Sequence, residues 1–332
     1  MKAVVISSPG GPEVLHLREV PDPAPGPEDL LVRVKATALN RADILQRMGQ
    51  YPQPGPRSEF EIPGLEFAGE VLAAGPRAEG FAPGDRVMGL LAGGGYAEQA
   101  VIHHRLAMKV PPALSWHEAG ATPEVYITAH DALLQCGLVA GETVLVHAVG
   151  SGVGVAAVQV AKAMGASLVL GTAGSEEKLA RARDLGLDVA INYHEQDFAA
   201  ETLAATGGRG ADAVLDVIGA SYWEKNMRAL ALKGRMVLVG LMGGPAAQVN
   251  LGLLLSKRLQ VRGTVLRARP LEEKALATRA FERSILPHIA SGRVRIVVDS
   301  VFPLEAAADA HRRMEANANF GKIVLEVSQA GA

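Results

Sequence analysis

The segment TVLVHAVGSGVGVAAVQVAKAMGASLVLGTAGSEEK, residues Thr143 to Lys178, decides the fold class of this chain. An apolar run typical of a buried strand leads into a glycine-rich turn, then into a helical pattern, then into a second apolar run. A helix between two buried strands predicts a right-handed βαβ unit with parallel strands.

The alternation of strands and helices continues on the C-terminal side of this segment. The predicted strands are Thr143–Ala148, Ser167–Thr172, Asp188–Asn192, Ala213–Val217, Arg235–Val239 and Gln260–Thr264. The predicted helices are Gly152–Met164, Ser175–Leu185, Asp197–Ala205, Trp223–Leu232 and Leu251–Arg258. This order predicts an α/β domain built on a doubly wound, parallel, six-stranded Rossmann sheet.

The 332 residues favour a second domain beside this sheet. Short alternating runs broken by proline and glycine fill the first third of the chain and predict a β-rich domain. After Leu266, a helix, a strand, a helix and a last strand are expected to return to that domain. The predicted ranges are 1–122 with 266–332 for the β-rich domain and 123–265 for the Rossmann domain, with a cleft between them.

Bulk properties exclude several function classes. The formal net charge of -2 gives no broad attraction to nucleic acid or to an anionic membrane. The single cysteine, Cys136, cannot form an internal disulfide, and a small core residue is the simplest role for it. No apolar run reaches the ~18 residues of a membrane span. We therefore expect a soluble cytoplasmic protein.

The glycine turn after the first Rossmann strand predicts a pyrophosphate site. Glycines there let the backbone turn tightly, and the first N–H groups of the following helix point at the phosphate. Its spacing departs from strict G-x-G-x-x-G, so the signal comes from its place between strand and helix. A turn that serves packing alone is the alternative. The residues predicted to hold the cofactor here are Gly150, Ser151, Gly152, Val153 and Gly154.

The end of the second strand predicts NADPH as the cofactor rather than NADH. An acid at this position ordinarily accepts hydrogen bonds from the ribose 2′-hydroxyl. Here the strand ends in small residues that include Gly174, and Ser175 and Lys178 can bind a 2′-phosphate. As an alternative, Ser175 is a helix N-cap, and Glu176 and Glu177 suit a first helical turn without any ligand.

Further segments carry a family resemblance. They are ALNRADILQRMGQYP (Ala38–Pro52), PGLEFAGEV (Pro63–Val71), GDRVMGL (Gly84–Leu90), YITAHDAL (Tyr126–Leu133), HAVGSGVGVAAVQVAKAMGA and NANFGKIVLEV (Asn317–Val327). With these segments the chain resembles the zinc-independent quinone oxidoreductases of the medium-chain dehydrogenase/reductase superfamily, closest to the subgroup of the p53-inducible quinone oxidoreductase. The resemblance implies a Rossmann domain inserted in a GroES-like catalytic domain.

The same resemblance predicts that no metal is bound. Zinc alcohol dehydrogenases of the superfamily carry a cysteine ligand where this chain has Asn40 and a histidine ligand where it has Leu65. A catalytic zinc needs three ligands from Cys, His or carboxylate, and leucine supplies none.

The implied activity is a zinc-free, NADPH-dependent quinone oxidoreductase that transfers hydride from the nicotinamide to a quinone. One alternative is an NADPH-dependent enone or enoyl thioester reductase, and another is a non-enzymatic NADPH-binding protein. The resemblance also suggests a homodimer, formed through the edge strands GRMVLVG and LQVRGTVL of the Rossmann sheets.

The resemblance assigns roles to further residues. Tyr51 is implied as a proton donor or substrate-orienting hydroxyl, and Asn40 and Asp43 as polar groups near the nicotinamide. The alternatives are an aromatic lid for Tyr51 and a helix N-cap for the pair. The resemblance also implies cofactor contacts for Asn40, Thr128, Tyr193, Asn319 and Lys322. Gly240, Met242, Val265 and Leu266 are predicted to bind the cofactor because they follow strands at their carboxyl ends, where such folds bind ligands. Thr128 could instead bond its own helical turn, Tyr193 could be merely half-buried, and Asn319 and Lys322 could form a surface turn.

Overall fold

The computed structural model describes residues 1–51, 53–54 and 59–327. Its strands, in chain order, are β1 Lys2–Ile6, β2 Leu15–Glu19, β3 Asp29–Ala38, β4 Glu66–Ala74, β5 Arg86–Leu90, β6 Gln99–His103, β7 Ala107–Lys109, β8 Thr143–Val146, β9 Leu168–Ala173, β10 Val189–Asn192, β11 Ala211–Asp216, β12 Leu230–Leu238, β13 Gln260–Gly263, β14 Val298–Pro303 and β15 Lys322–Glu326.

The α-helices alternate with these strands most regularly between β8 and β13. They are α1 Arg41–Arg47, α2 Trp116–Gly120, α3 Pro123–Gln135, α4 Gly152–Ala163, α5 Glu176–Arg183, α6 Phe198–Ala205, α7 Trp223–Ala229, α8 Leu251–Ser256, α9 Leu271–Ser284, α10 Leu286–Ala290 and α11 Ala307–Glu315. Within the described ranges, no helix is both long and apolar enough to cross a membrane.

The chain divides into two compact units. Unit 1 comprises Met1–Ile127, Leu266–Glu282 and Ile296–Ala332, and unit 2 comprises Thr128–Val265 and Arg283–Arg295. The division differs from the predicted ranges chiefly in placing Arg283–Arg295 with unit 2. The side chain of Gln159 on α4 explains this, because it donates to the Arg295 carbonyl at 2.9 Å and accepts from the Arg295 N–H at 2.7 Å.

Unit 2 contains the predicted parallel sheet. Its strand order is β10-β9-β8-β11-β12-β13, and every neighbouring pair is parallel. This is the doubly wound order, with the reversal between β8 and β11. Strand residues facing the helices form an apolar core that includes Leu145, Leu170, Ile191, Val214 and Met236. The prediction of the sheet is confirmed, and its strands begin and end close to the predicted residues.

The largest boundary error concerns β12. The strand begins at Leu230 rather than Arg235, and α7 ends at Ala229 instead of continuing to Leu232. A register irregularity in the β11–β12 pairing allows the early start, with Leu230 opposite Ala211 and Arg235 opposite Ala213. The helical periodicity of the preceding residues gave no sign of this irregularity.

Unit 1 is built on a mixed sheet with the order β14-β15-β3-β4-β5-β7, and β6 pairs separately with β3. The C-terminal strand β15 runs antiparallel to β3, with Val324 opposite Ala38. The expected return of the C-terminal segment to the N-terminal β region is therefore confirmed. Its core contains Val32, Phe67 and Ile323.

Candidate active site

The glycine turn lies between β8 and α4, as predicted. Ser151 is the N-cap of α4, and its Oγ accepts a hydrogen bond from the Gly154 N–H at 3.0 Å. The Ser151 N–H donates to the Ala148 carbonyl at 2.8 Å, so this serine closes the turn with its backbone. The N–H groups of Gly152 and Val153 open the helix, where no intrahelical acceptor exists.

Two of the glycines are required by close approaches. A Cβ on Gly154 would lie 2.1 Å from the Ala148 carbonyl oxygen, so the helix can start this close to the strand only with glycine. A Cβ on Gly150 would lie 2.7 Å from Cδ of Lys178. The aliphatic part of Lys178 therefore packs against Gly150 of the turn.

The end of β9 places further predicted residues around this lysine. Ser175 is the N-cap of α5, and its Oγ accepts from the Lys178 N–H at 3.4 Å, in agreement with the capping interpretation. A Cβ on Gly174 would lie 2.5 Å from the hydroxyl oxygen of Tyr193, whose side chain is 41% exposed. Gly174 thus leaves room for the tyrosine to cover the end of β9.

The other predicted residues of unit 2 stand at the same edge of the sheet. Because all six strands are parallel, their carboxyl ends share one edge, where doubly wound folds bind ligands. The structure brings to that edge Gly150, Gly174, Tyr193, Gly240 and Val265, which follow β8, β9, β10, β12 and β13.

Two further predicted residues of unit 2 differ in their exposure to solvent. Met242 follows β12, and its side chain is 51% exposed. Thr128 is buried on α3.

Unit 1 holds a second group of predicted residues around a buried ammonium. Lys322 donates to the Leu39 carbonyl at 2.5 Å and to Asn40 Oδ1 at 2.7 Å, and forms an ion pair with Glu66 at 2.7 Å. A lysine ammonium has three N–H donors, and these partners use all of them. These contacts make Lys322 a positioning residue for Asn40, and its contact with the cofactor stays a prediction. The Asn40 amide nitrogen in turn donates to Glu66 Oε1 at 2.9 Å.

Asp43 is fully enclosed in the same unit. Its carboxylate accepts from the N–H groups of Asn40 at 2.8 Å and Gly64 at 3.1 Å, and from the Tyr96 hydroxyl at 3.2 Å. Asn40 and Asp43 form a capping box at the start of α1, so the capping alternative describes this pair. Burial raises the pKa of Asp43 to about 6. With no exposed surface, Asp43 acts by holding the loop that carries Asn40.

Tyr51 is half-buried and held by an arginine that the sequence did not single out. The Arg267 guanidinium lies 5.0 Å from the centre of the Tyr51 ring and donates to the Tyr51 carbonyl at 3.1 Å. It also donates to Gln46 Oε1 at 2.6 Å and to the Ala92 carbonyl at 2.8 Å. Burial raises the pKa of the Tyr51 hydroxyl, so this group stays protonated. The predicted loop around Tyr51 lies partly outside the described residues.

The remaining predicted residues of unit 1 are inward-facing. Asn319 is buried, and its amide nitrogen donates to the Gly321 carbonyl at 2.8 Å, which shapes the turn before β15. Leu266 is also buried. The sequence did not reveal Glu66, Glu124 or Arg267 as members of this cluster, although PGLEFAG contained the first of them. Isolated acids and arginines resemble surface residues until the fold encloses them.

The residues of unit 1 do not fit a zinc ion at the superfamily's catalytic position. Leu65 is buried and apolar, and the Lys322 ammonium lies between Asn40 Oδ1 and Glu66 Oε1, where it would repel a cation. Across the described residues, no group of three or more His, Cys, Asp or Glu side chains is arranged to hold a metal.

Comparisons with known proteins agree with both units. The alcohol dehydrogenase GroES-like domain matches residues 26–112, and the zinc-binding dehydrogenase model matches residues 152–282. A quinone oxidoreductase of Pseudomonas aeruginosa is 35% identical over 332 residues, 98% of this chain and 99% of that protein. The chain belongs to the quinone oxidoreductase family. A phenolphthiocerol/phthiocerol polyketide synthase protein of Mycobacterium tuberculosis is 33% identical over 98% of this chain, but only 15% of that protein is covered.

Solved structures show the same architecture. An NAD-dependent alcohol dehydrogenase aligns with a TM-score of 0.89 and 38% identity, over 99% of this chain and 100% of that chain. The Escherichia coli quinone oxidoreductase complexed with NADPH aligns with a TM-score of 0.88 and 31% identity, over 98% of this chain and 100% of that chain. The two structures share the fold, whereas their names give different cofactors.

Proposed function

We propose that this protein is a zinc-free, NADPH-dependent oxidoreductase that reduces quinones. The observation that carries the proposal is that the aliphatic part of Lys178 packs against Gly150 of the glycine turn, while β9 ends without an acid. A 2′-phosphate bound there would meet an ammonium and a serine hydroxyl instead of a carboxylate. The Escherichia coli relative that was solved with NADPH supports the choice of cofactor.

Different residues of unit 2 would bind different parts of NADPH. The N–H groups at the start of α4 would hold the pyrophosphate, and Lys178, Ser175 and Tyr193 the adenosine 2′-phosphate. When bound, NADPH supplies a hydride at its nicotinamide. Asn40, whose amide is fixed by Lys322 and Glu66, and Tyr51, fixed by Arg267, would orient the acceptor.

Quinones fit this site because they need no Lewis acid for reduction. The negative charge that develops on a quinone is delocalised over the ring, so hydrogen-bond donors are sufficient to stabilise it. The second candidate is reduction of a carbon–carbon double bond in an enone or enoyl thioester, which the match to the polyketide synthase favours.

Stopped-flow oxidation of NADPH by 1,2-naphthoquinone, a 2-alkenal and crotonyl thioester tests the two candidates. We expect fast turnover with the quinone. Preferred turnover of the enoyl compounds would support the second candidate, and tight NADPH binding without turnover of any acceptor would indicate a binding protein.

Replacing Lys178 by alanine tests the cofactor preference. We expect NADPH to bind about 10–100-fold more weakly, since a hydrogen bond between charged groups contributes about 1.5–3 kcal/mol. The affinity for NADH should change less than about 3-fold. Isothermal titration with both cofactors measures this, and Arg183→Ala, on the same helix and exposed, is the matched control. Equal weakening of NADPH and NADH would refute a 2′-phosphate role for Lys178.

We also propose a homodimer through the free edge of β13. This strand is exposed at each of its positions and ends the sheet, while β12 is an inner strand and cannot provide an edge as predicted. Exposed Leu251 and Leu255 precede it on α8. Val261→Lys on β13 is expected to shift the protein toward the monomer in analytical ultracentrifugation; an unchanged dimer would place the interface elsewhere.

A further inference from the structure

Two-electron reduction of a quinone or an enone requires a proton as well as a hydride. Resting on the proposed function, we propose that the side-chain carboxyl of Glu124 delivers this proton to the oxygen of the acceptor. Glu124 lies in the first turn of α3 and was not anticipated from the sequence.

Glu66 places Glu124 next to Asn40. One carboxylate oxygen of Glu66 accepts from the Asn40 amide at 2.9 Å, and the other accepts from the Glu124 N–H at 2.8 Å. A single buried carboxylate thus bridges the two residues. Because the family resemblance implies Asn40 near the nicotinamide, Glu124 would lie one side chain away from the reacting end of a bound cofactor.

Glu124 is the acid of this cluster that is free to reach a ligand. Asp43 and Glu66 are completely buried, and both oxygens of each accept hydrogen bonds. Glu124 is only half-buried. Among the described residues, its side-chain carboxyl makes no hydrogen bond.

The charges around Glu124 keep it protonated at neutral pH. Burial and the neighbouring Glu66 carboxylate raise the pKa of Glu124 to about 8, against the opposing influence of Lys322 and Arg267. The Tyr51 hydroxyl is the weaker acid, because burial raises its pKa above the usual value of about 10. The charged and titratable groups facing Glu124 are Glu66 on β4, Asp43 on α1, Lys322 on β15, Lys274 on α9, Arg267 and Tyr51.

The step balances without a further reactant. The hydride that NADPH supplies when bound carries both electrons to the acceptor. The O–H bond of Glu124 breaks, its proton joins the acceptor oxygen, and the bonding electrons remain on the carboxylate. Water then returns a proton to Glu124. The products are NADP⁺ and the hydroquinone, or the enol of the saturated carbonyl compound.

The first measurement needs no cofactor. Between about pH 4.3, where a glutamate titrates in the unfolded chain, and about pH 8, the folded protein holds a proton on Glu124 that the unfolded chain has released. The stability of the wild type should therefore fall through this window relative to Glu124→Gln. Glu273→Gln, an exposed glutamate in the first turn of α9, should run parallel to the wild type. A stability difference between the wild type and Glu124→Gln that does not change with pH would overturn the inference.

The second measurement is single-turnover oxidation of NADPH by 1,2-naphthoquinone as a function of pH. We expect the wild-type rate to fall above about pH 8 as Glu124 ionises. Glu124→Gln should be about 100-fold slower, the low end for a general acid, and should lose this alkaline decline, with NADPH affinity within about 2-fold. Tyr51→Phe should retain the decline.

The outcomes separate the two proposals. Glu124→Gln with the wild-type rate, or with a lower rate that still declines above pH 8, overturns the role of Glu124 alone. A wild type that reduces neither quinones nor enones refutes the proposed function, and this inference with it.

Discussion

Replacing Lys322 by methionine is expected to destabilise unit 1 by about 3–5 kcal/mol, the usual effect of removing one partner from a buried ion pair. Lys322 is 3% exposed and Glu66 is completely buried. Without the ammonium, the partners that the Glu66 carboxylate keeps among the described residues are the Asn40 amide and the Glu124 N–H. The carbonyl of Leu39 also loses its donor.

The two tryptophans allow this effect to be measured in unit 1 alone. Trp116 lies in unit 1 and Trp223 in unit 2, and the chain has no other tryptophan. In a Trp223→Phe background, urea unfolding followed by Trp116 fluorescence reports unit 1, which matters because a protein with two units need not unfold in one step.

The double variant Lys322→Met with Glu66→Gln tests the cause. Removing the negative charge together with the positive one should recover most of the lost stability, because replacing both members of a buried pair is often nearly neutral. If the double variant is as unstable as Lys322→Met alone, the loss comes from packing and the ion pair is not its cause.

The second large effect is expected for Gly154→Ala. The added Cβ would lie 2.1 Å from the Ala148 carbonyl oxygen and 2.7 Å from the Ala148 carbonyl carbon. Both are backbone atoms, so the first turn of α4 must move away from the end of β8. Overpacking of this kind costs about 1–3 kcal/mol, and the displaced N–H groups lose the pyrophosphate. We expect NADPH to bind at least about 100-fold more weakly in a fluorescence titration.

Gly150→Ala is the matched control in the same turn. Its Cβ would meet Cδ of Lys178, the flexible part of a side chain that can move aside. This variant should keep unit 2 folded and weaken NADPH more than NADH, because only the lysine is displaced. Wild-type affinity for NADPH in Gly154→Ala would show that the turn does not hold the pyrophosphate.

The order of the Rossmann elements could be read from the sequence because each element there satisfies its own local rule. Buried parallel strands are continuous apolar runs, and helices between them keep a period of 3.6 residues. The early start of β12 was not predicted, because it depends on pairing with β11 rather than on the residues between Leu230 and Arg235.

Within the candidate site, the sequence by itself determined the glycine turn, the strand end without an acid and Lys178, since these lie within one βαβ unit. Only the tertiary structure showed that the Lys322 ammonium contacts Asn40, Glu66 and the Leu39 carbonyl. It also showed that the Glu124 N–H bonds to Glu66 in the same cluster. Those residues come from distant parts of the chain. The pKa of a buried group depends on the burial, charges and hydrogen bonds that packing creates around it, and no local sequence pattern shows these.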